Sequence, residues 1–412
     1  MKTCDYLIIG GGITGLTVAR EVDTHFPHAR ITLIEKEHDV AQHSSGRNSG
    51  VLHAGFYYSA DSLKARFTRE GNQLMKLFCK ENNLRINPCG KLIVAKDKDD
   101  LKVLEELKKR GDCNGVELIW MSPSEVNKIE PHAKTFERAL YSPTTATVDP
   151  KEICQTLKKE LQERGINIQF NAPFLGHDKT HNYFTVRTPK GLIESKFIIN
   201  CAGLYADQIA QSFGLSQSYV ILPFKGTYLS DSGTDAVVKT NIYPVPNLAN
   251  PFLGIHFTVT VNEKIIIGPA AIPAFWRENY HGLYRFRVNE FLEILYYQLI
   301  LFARNSFGYR DIAFSELKKY SKNYFRKQAN QIVKNINLKG FTTWAKTGIR
   351  AQLLNTQTME LIHDFIIENN DDSIHILNVV SPGFTCAFSL ARYVGNLLQN
   401  KPATESNLTP DT

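Results

Sequence analysis

Three side chains in this sequence are of the types needed to take up a proton or to hold a carboxylate. His53 lies in the stretch HSSGRNSGVLHAGFYY (residues 43–58), three residues past Gly50. Neutral imidazole is a good proton acceptor near neutral pH. Arg350 follows Gly348, and its planar guanidinium suits bidentate capture of a carboxylate. Lys225, in LPFKGTYL, offers a second cation. His256 alternates with apolar residues in FLGIHFT, and Tyr57 and Tyr58 bring hydroxyls. On a strand, only one of two adjacent tyrosines faces inward. His43 is the alternative base, although its place just ahead of the loop suits a binding or structural role better. Each has a plainer reading: His53 bonded to a backbone carbonyl, Arg350 in an ion pair, Lys225 solvated, His256 satisfied in a core.

The elements that would position these groups begin at the N-terminus. CDYLIIGGGITGLTVAREV (4–22) reads as an apolar strand, a glycine turn and a helix. Gly10, Gly12 and Gly15 are spaced for a tight turn, a close approach to a pyrophosphate and a helix packed on its strand. The helix beginning near Ile13 and Thr14 turns its free N–H groups towards phosphate. A second strand, ARITLIEKE (29–37), carries Glu35 and Lys36 at its end, where the carboxylate can take both ribose hydroxyls. Strand, turn, helix, strand and acid in register specify a dinucleotide site far better than the three glycines alone. After the acid a plain NAD domain would continue with another strand and helix. This chain runs instead through Arg47, Asn48, Ser49, Gly50 and Val51, a donor-rich segment suited to a long ligand. That predicts FAD, with the segment passing from the pyrophosphate towards the flavin.

A length of 412 residues predicts about two domains. The 43% hydrophobic and 22% charged content is that of a soluble globular protein, and the net charge of +7 fits an anionic ligand or an anionic surface. Seven dispersed cysteines without a C-x-x-C pair argue against a zinc cluster or disulfide scaffold and for a reducing, cytoplasmic setting. No signal peptide is expected, and LEILYYQLILF (292–302) is too short to span a bilayer. Ser62 is expected to cap a helix over 62–84, and Asp149 with Pro150 to start another. Residues 217–340 read first as antiparallel strands, then as an aromatic, Lys-rich helical region at about 288–337. Pieces of the nucleotide domain thus recur along the chain. The division expected is 1–80, 146–215 and 340–400 for FAD, 85–145 and 217–340 for substrate, with 401–412 a disordered tail.

IIGGGITG, IINCAGLYAD (198–207) and VVSPGFT (379–385) together resemble flavoproteins of the D-amino-acid-oxidase and glycerol-3-phosphate-dehydrogenase group. GRNSGVLHAGFYYSADSLKA (46–65), PFKGTYL (223–229), NIYPVPNLANPFLGIHFT (241–258), IIIGPAAIPAF (265–275) and GIRAQL (348–353) resemble the L-2-hydroxyglutarate dehydrogenase/oxidase family. The resemblance implies an α/β, glutathione-reductase-like fold, in which a Rossmann-like FAD domain carries an inserted mixed or antiparallel substrate sheet. It places Pro173, Cys201, Ala202, Gly203 and Gly348 with the cofactor. Ser381, Pro382, Gly383, Phe384 and Thr385 become a turn whose following helix stabilises the reduced ring's negative charge. It further implies oxidation of a small anionic L-2-hydroxy acid to the 2-oxo acid, with quinone or oxygen as electron acceptor.

Glycerol 3-phosphate or an amino acid on the same fold is the alternative substrate, although neither an Arg-rich nor an acid-lined pocket is evident. A tRNA-modifying flavoprotein is disfavoured, because the Lys-rich region lacks interleaved stacking aromatics on a sheet, so no nucleic-acid partner is expected. The 288–337 region is a candidate peripheral contact with the inner face of a membrane, with a solvated helical surface as its alternative.

Overall fold

The computed structural model describes residues 2–180, 182–231, 238–248 and 253–400. Strand β1 (Lys2–Ile9) forms the middle of a parallel sheet, because its apolar run is covered on both faces. It pairs with β2 (Ile31–Ile34) on one side and with Gly191–Asn200 on the other. Asn167–Gln169 extends the sheet beyond β2, and Ser373–Leu377 pairs with the far end of Gly191–Asn200. Helix α1 (Ile13–His25) and the last helix, Ala387–Gln399, pack together on this sheet. One continuous core includes Ile8, Leu16, Phe67, Leu157, Ile199, Ile374 and Leu390, so distant segments share a single interior.

A second, eight-stranded sheet holds Lys91–Val94 beside Asn241–Pro244 in parallel register, with His256–Val259 and Ile265–Gly268 following antiparallel. A smaller antiparallel sheet pairs Tyr219–Gly226 with Gly348–Asn355 along their whole length. These two sheets roof the parallel layer. A buried ion pair helps to fix that roof. Arg277 donates to both oxygens of Asp207 at 2.7 and 2.9 Å, and Asp207 also accepts from Ile221 N–H at 2.8 Å. Both side chains are almost fully buried, so removing either one would strand the other's charge.

Local signals place the helices well. Ser62 caps α2 (Leu63–Glu81) by accepting from Ala65 N–H at 3.1 Å, and Asp149 caps Pro150–Glu163 through Lys151 N–H at 2.9 Å. The Lys-rich helical region is three helices, Val288–Arg304, Tyr309–Lys318 and Lys322–Ala329. Left-handed residues at Asn305, Phe307 and Gly308 break the first from the second. No helix among the described residues is long and apolar enough to cross a membrane. The tail at 401–412 lies outside the described residues.

Candidate active site

A cavity of about 1450 Å³ runs between the parallel sheet and its roof. At one end Gly10, Gly12, Ile13 and Thr14 line it. Helix α1 starts there with no side-chain cap, and Ile13 N–H donates to Ser45 Oγ at 2.9 Å. Gly15 does not line the cavity; a Cβ there would fall 1.9 Å from the Gly10 carbonyl oxygen, so its absence lets the helix close on the strand. Glu35, at the tip of β2, accepts from Gly11 N–H at 2.6 Å and from Glu37 N–H at 2.8 Å. Each of its oxygens keeps a second lone pair for a ligand hydroxyl.

Beyond Glu35 the charges compensate one another. Lys36 and Arg285 pair with Glu37 and Glu278. His43 bridges Glu37 at 2.8 Å and Tyr280 Oη at 2.7 Å, which makes it part of this network. Glu37 is held far below the carboxylate range, chiefly by its bonds to His43 and Arg285.

Pro173, Cys201, Ala202, Gly203, Asn48, Ser49 and Val51 line the middle of the cavity. Arg47 also lines it, but its guanidinium is turned back onto Gln42 O at 2.7 Å and over the Tyr280 ring at 4.2 Å. Gly50 does not reach the cavity. Its φ of +72° and the Val148 oxygen, 2.1 Å from where a Cβ would be, make it a backbone turn and not a cofactor contact. Gly348, Ser381, Pro382, Gly383, Phe384 and Thr385 close the far side.

There the reactive groups collect. His53 N–H donates to Thr385 Oγ1 at 3.1 Å, and its carbonyl accepts from Asn72 Nδ2 at 3.1 Å, so both sides of its backbone are clamped. Its Nδ1 lies 3.4 Å from Lys91 Nζ, leaving Nε2 to the cavity that His53 lines. Burial, then the charge of Lys91, then His256, hold His53 well below its usual value, so the ring stays neutral. Lys91 is fully buried, its Nζ 4.3 Å above the Tyr243 ring and 5.3 Å from that of Tyr57, and burial pushes it down to about 7.

His256 stacks on Tyr243 at 3.6 Å, and burial pushes it down to about 3. Its Nδ1 lies 2.8 Å from the Gly254 carbonyl, which can only accept, so Nδ1 carries the proton and Nε2 is an acceptor. Tyr57 Oη is buried without a hydrogen-bond partner. Residues 55–58 form a turn and not a strand, and both Tyr57 and Tyr58 line the cavity. Arg350 lines it too, donating to Ala270 O at 3.2 Å.

Lys225 does not. Its strand meets the cavity only at the terminal Gly226, one residue further on, so it is removed from the substrate set. Lys64 takes its place, lining the cavity and pushed down to about 8 by burial, while Lys91 lies behind His53 and not in the lining. Tyr228 and Tyr243 also line it. The one signal for Lys91 was a charged residue opening the apolar strand KLIV, and that reads equally as a surface position.

An uncapped helix N-terminus, an acid at the next strand's tip and a long cavity suit a dinucleotide bearing a further ring system. The family described as FAD dependent oxidoreductase matches residues 5–397. The chain belongs to this family. Among curated proteins the flavoprotein is 33% identical to L-2-hydroxyglutarate dehydrogenase of Escherichia coli strain K12, over 98% of this chain and 95% of that protein. It is 31% identical to the mitochondrial L-2-hydroxyglutarate dehydrogenase of Homo sapiens, over 96% of this chain and 89% of that one. Among solved structures it superposes on L-alpha-glycerophosphate oxidase from Mycoplasma pneumoniae with FAD bound, at a TM-score of 0.77 and 23% identity, covering 99% and 97% of the two chains. Glycine oxidase from Geobacillus kaustophilus follows at a TM-score of 0.70 and 16% identity, covering 98% and 96%. The flavoprotein thus has the FAD-dependent oxidoreductase fold expected of its sequence.

Proposed function

We propose that this flavoprotein oxidises L-2-hydroxyglutarate to 2-oxoglutarate. The observation that carries the reading is the charge of the reaction end: neutral His53, Arg350 and Lys64 line one cavity, and Lys91 is buried behind His53. Among the described residues, neither Lys91 nor Lys64 forms an ion pair. Such a pocket attracts a dianion and repels a cationic amine. The named relatives over nearly the whole chain support the same substrate.

Bound FAD supplies the hydride acceptor. Glycine turn, helix N-terminus and Glu35 hold its nucleotide half. Arg350 grips a substrate carboxylate through its planar fork. His53 Nε2 takes the hydroxyl proton as the carbonyl forms. His256 Nε2, fixed as an acceptor, and the unpartnered Tyr57 hydroxyl orient the substrate's oxygens. The N–H groups that open the helix after Ser381–Thr385 would favour negative charge on a reduced ring held there.

Electrons leave to a quinone or to oxygen. The first helix of the basic region supports a membrane-borne quinone. Val288, Leu292, Tyr296 and Leu299 repeat at helical spacing on one face, each 57–59% exposed, with Arg287, Arg304, Arg310 and Lys318 nearby. A stripe of this kind beside basic residues suits the surface of an anionic bilayer. Two experiments test the function. Anaerobic L-2-hydroxyglutarate should bleach the visible flavin band, whereas the D-isomer and glycerol 3-phosphate should not; a band that persists sinks the substrate. Sedimentation with anionic vesicles should fail for the doubly substituted Leu292→Gln, Leu299→Gln protein; equal sedimentation of wild type and variant sinks the membrane contact.

A further inference from the structure

A ring held neutral by burial accepts a proton readily only if it can pass one on. The difficulty at His53 is where that proton goes. Among the described residues, the hydrogen-bonding group against its Nδ1 is Lys91 Nζ, at 3.4 Å. That distance is at the outer edge of a hydrogen bond, and only the protonation states on either side decide which atom donates. With Lys91 as an ammonium, Nζ donates, Nδ1 accepts, and the neutral ring must carry its proton on Nε2. Such a ring cannot take a proton from the cavity side. With Lys91 as an amine, Nδ1–H donates to Nζ and Nε2 is a free base.

We propose that His53 and Lys91 form a proton relay, in which Lys91 is the positioning residue that sets the imidazole tautomer and receives the Nδ1 proton. The inference rests on His53 being the proton acceptor in the reading above. The step balances. The substrate's O–H bond breaks and its proton bonds to Nε2, the electron pair leaves Cα as hydride for the flavin, and the Nδ1 proton bonds to Nζ. The product is the 2-oxo acid, the ring returns to neutral, and Lys91 becomes an ammonium. The surroundings fit that end state, because the new cation lies 4.3 Å over the Tyr243 ring.

The groups facing the pair are few. Tyr57 and Tyr243 are held protonated by burial, Cys89 beside Lys91 likewise, and His256 stays neutral. Arg350 and Lys319 act on His256. No carboxylate acts on Lys91, so burial alone brings it to about 7, where it can exchange a proton at working pH.

The first test needs no substrate. In FAD-loaded wild type with 15N-labelled histidine, assigned with His53→Gln, the imidazole should hold its proton on Nε2 at low pH and on Nδ1 at high pH. The switch should centre near the Lys91 value of about 7 and be absent in Lys91→Met. A tautomer that never switches in wild type, or switches alike in the variant, overturns the relay. The second test is the rate of anaerobic flavin reduction against pH. The wild-type rate should show a limb near 7, rising with pH as Lys91 loses its proton. Lys91→Met should lose the limb and fall roughly 10²-fold at unchanged KM. Lys91→Arg, always charged, should lock the unproductive tautomer and fail at every pH. A limb retained in Lys91→Met, or an active Lys91→Arg, overturns the proposal. If wild-type flavin is not reduced at all, the substrate reading fails instead, and the tautomer titration still decides on the relay.

Discussion

Replacing Lys91 with Met should stabilise the protein, and by an amount that depends on pH. The side chain is wholly buried, and no carboxylate acts on its charge. Burial takes it from 10.5 to about 7. At about 1.4 kcal/mol for each tenfold change in proton affinity, the buried ammonium costs on the order of 4–5 kcal/mol below neutral pH. The sign follows from linkage. Between pH 7 and 10.5 the unfolded chain keeps a proton on Lys91 that the folded chain has released. Wild-type stability therefore rises with pH through that window, and the penalty is present in full only below it. Met has a comparable apolar stem and no charge to bury. Differential scanning calorimetry of the FAD-loaded proteins should find the variant's Tm higher by several degrees at about pH 6, with the gap nearly closed at about pH 10. Effects of other titrating groups cancel in the difference. A gap constant across that range, or a variant less stable at the acid end, would refute the account of Lys91 as a buried, uncompensated cation.

Gly15→Val would drive a Cβ to 1.9 Å from the Gly10 oxygen, so the protein should purify with little bound FAD, read as the ratio of visible to protein absorbance. Asp207→Asn leaves the Arg277 charge buried and should cost roughly 3–5 kcal/mol in urea unfolding, with Asp207→Leu, Arg277→Met together recovering most of it. His53→Gln should slow flavin reduction roughly 10²- to 10⁴-fold with FAD content unchanged, whereas His256→Gln should chiefly raise KM. Equal losses of kcat in the two histidine variants would contradict the separate roles given to them.

What the sequence makes legible is what is local. Gly10, Gly12, Gly15 and Glu35 act within one strand–helix–strand unit; Gly10, Gly12 and Glu35 line one end of the cavity, and Gly15 sits behind them where the helix meets its strand. The caps at Ser62 and Asp149 act on N–H groups two or three residues away. The reaction end is assembled differently. His53 is clamped by Thr385 and Asn72 and faces Lys91, 38 residues on, whose strand is buried because it pairs with Asn241–Pro244 and Ala139–Ser142. No short pattern carries that information, and a lysine at the start of a strand ordinarily marks the surface. Lys225 was misplaced by a single residue, because where a strand meets a cavity depends on the roof above it. The tyrosine pair was misread for a backbone reason. Gly55, at a φ of +108°, begins a turn where alternation suggested a strand, and both rings swing to one side.

The distribution of charge along the cavity separates two tasks. At the nucleotide end every acid is met: Glu35 by backbone N–H groups, Glu37 and Glu278 by Lys36 and Arg285. At the reaction end Asp364 accepts from the N–H groups of Leu63, Lys64 and Phe365. The cations of this end, Arg350 and Lys64 in the lining and Lys91 behind His53, are of two kinds. The planar fork of an arginine suits a group that must hold a carboxylate before, during and after the reaction. A lysine without a counter-ion lacks that fork, and burial puts Lys91 where gaining or losing a proton costs little. An arginine beside His53 would fix the ring as a donor, and an apolar residue would leave its Nδ1 proton with nowhere to go. A buried lysine is the one cationic side chain there that can hold the imidazole in place and still change with it.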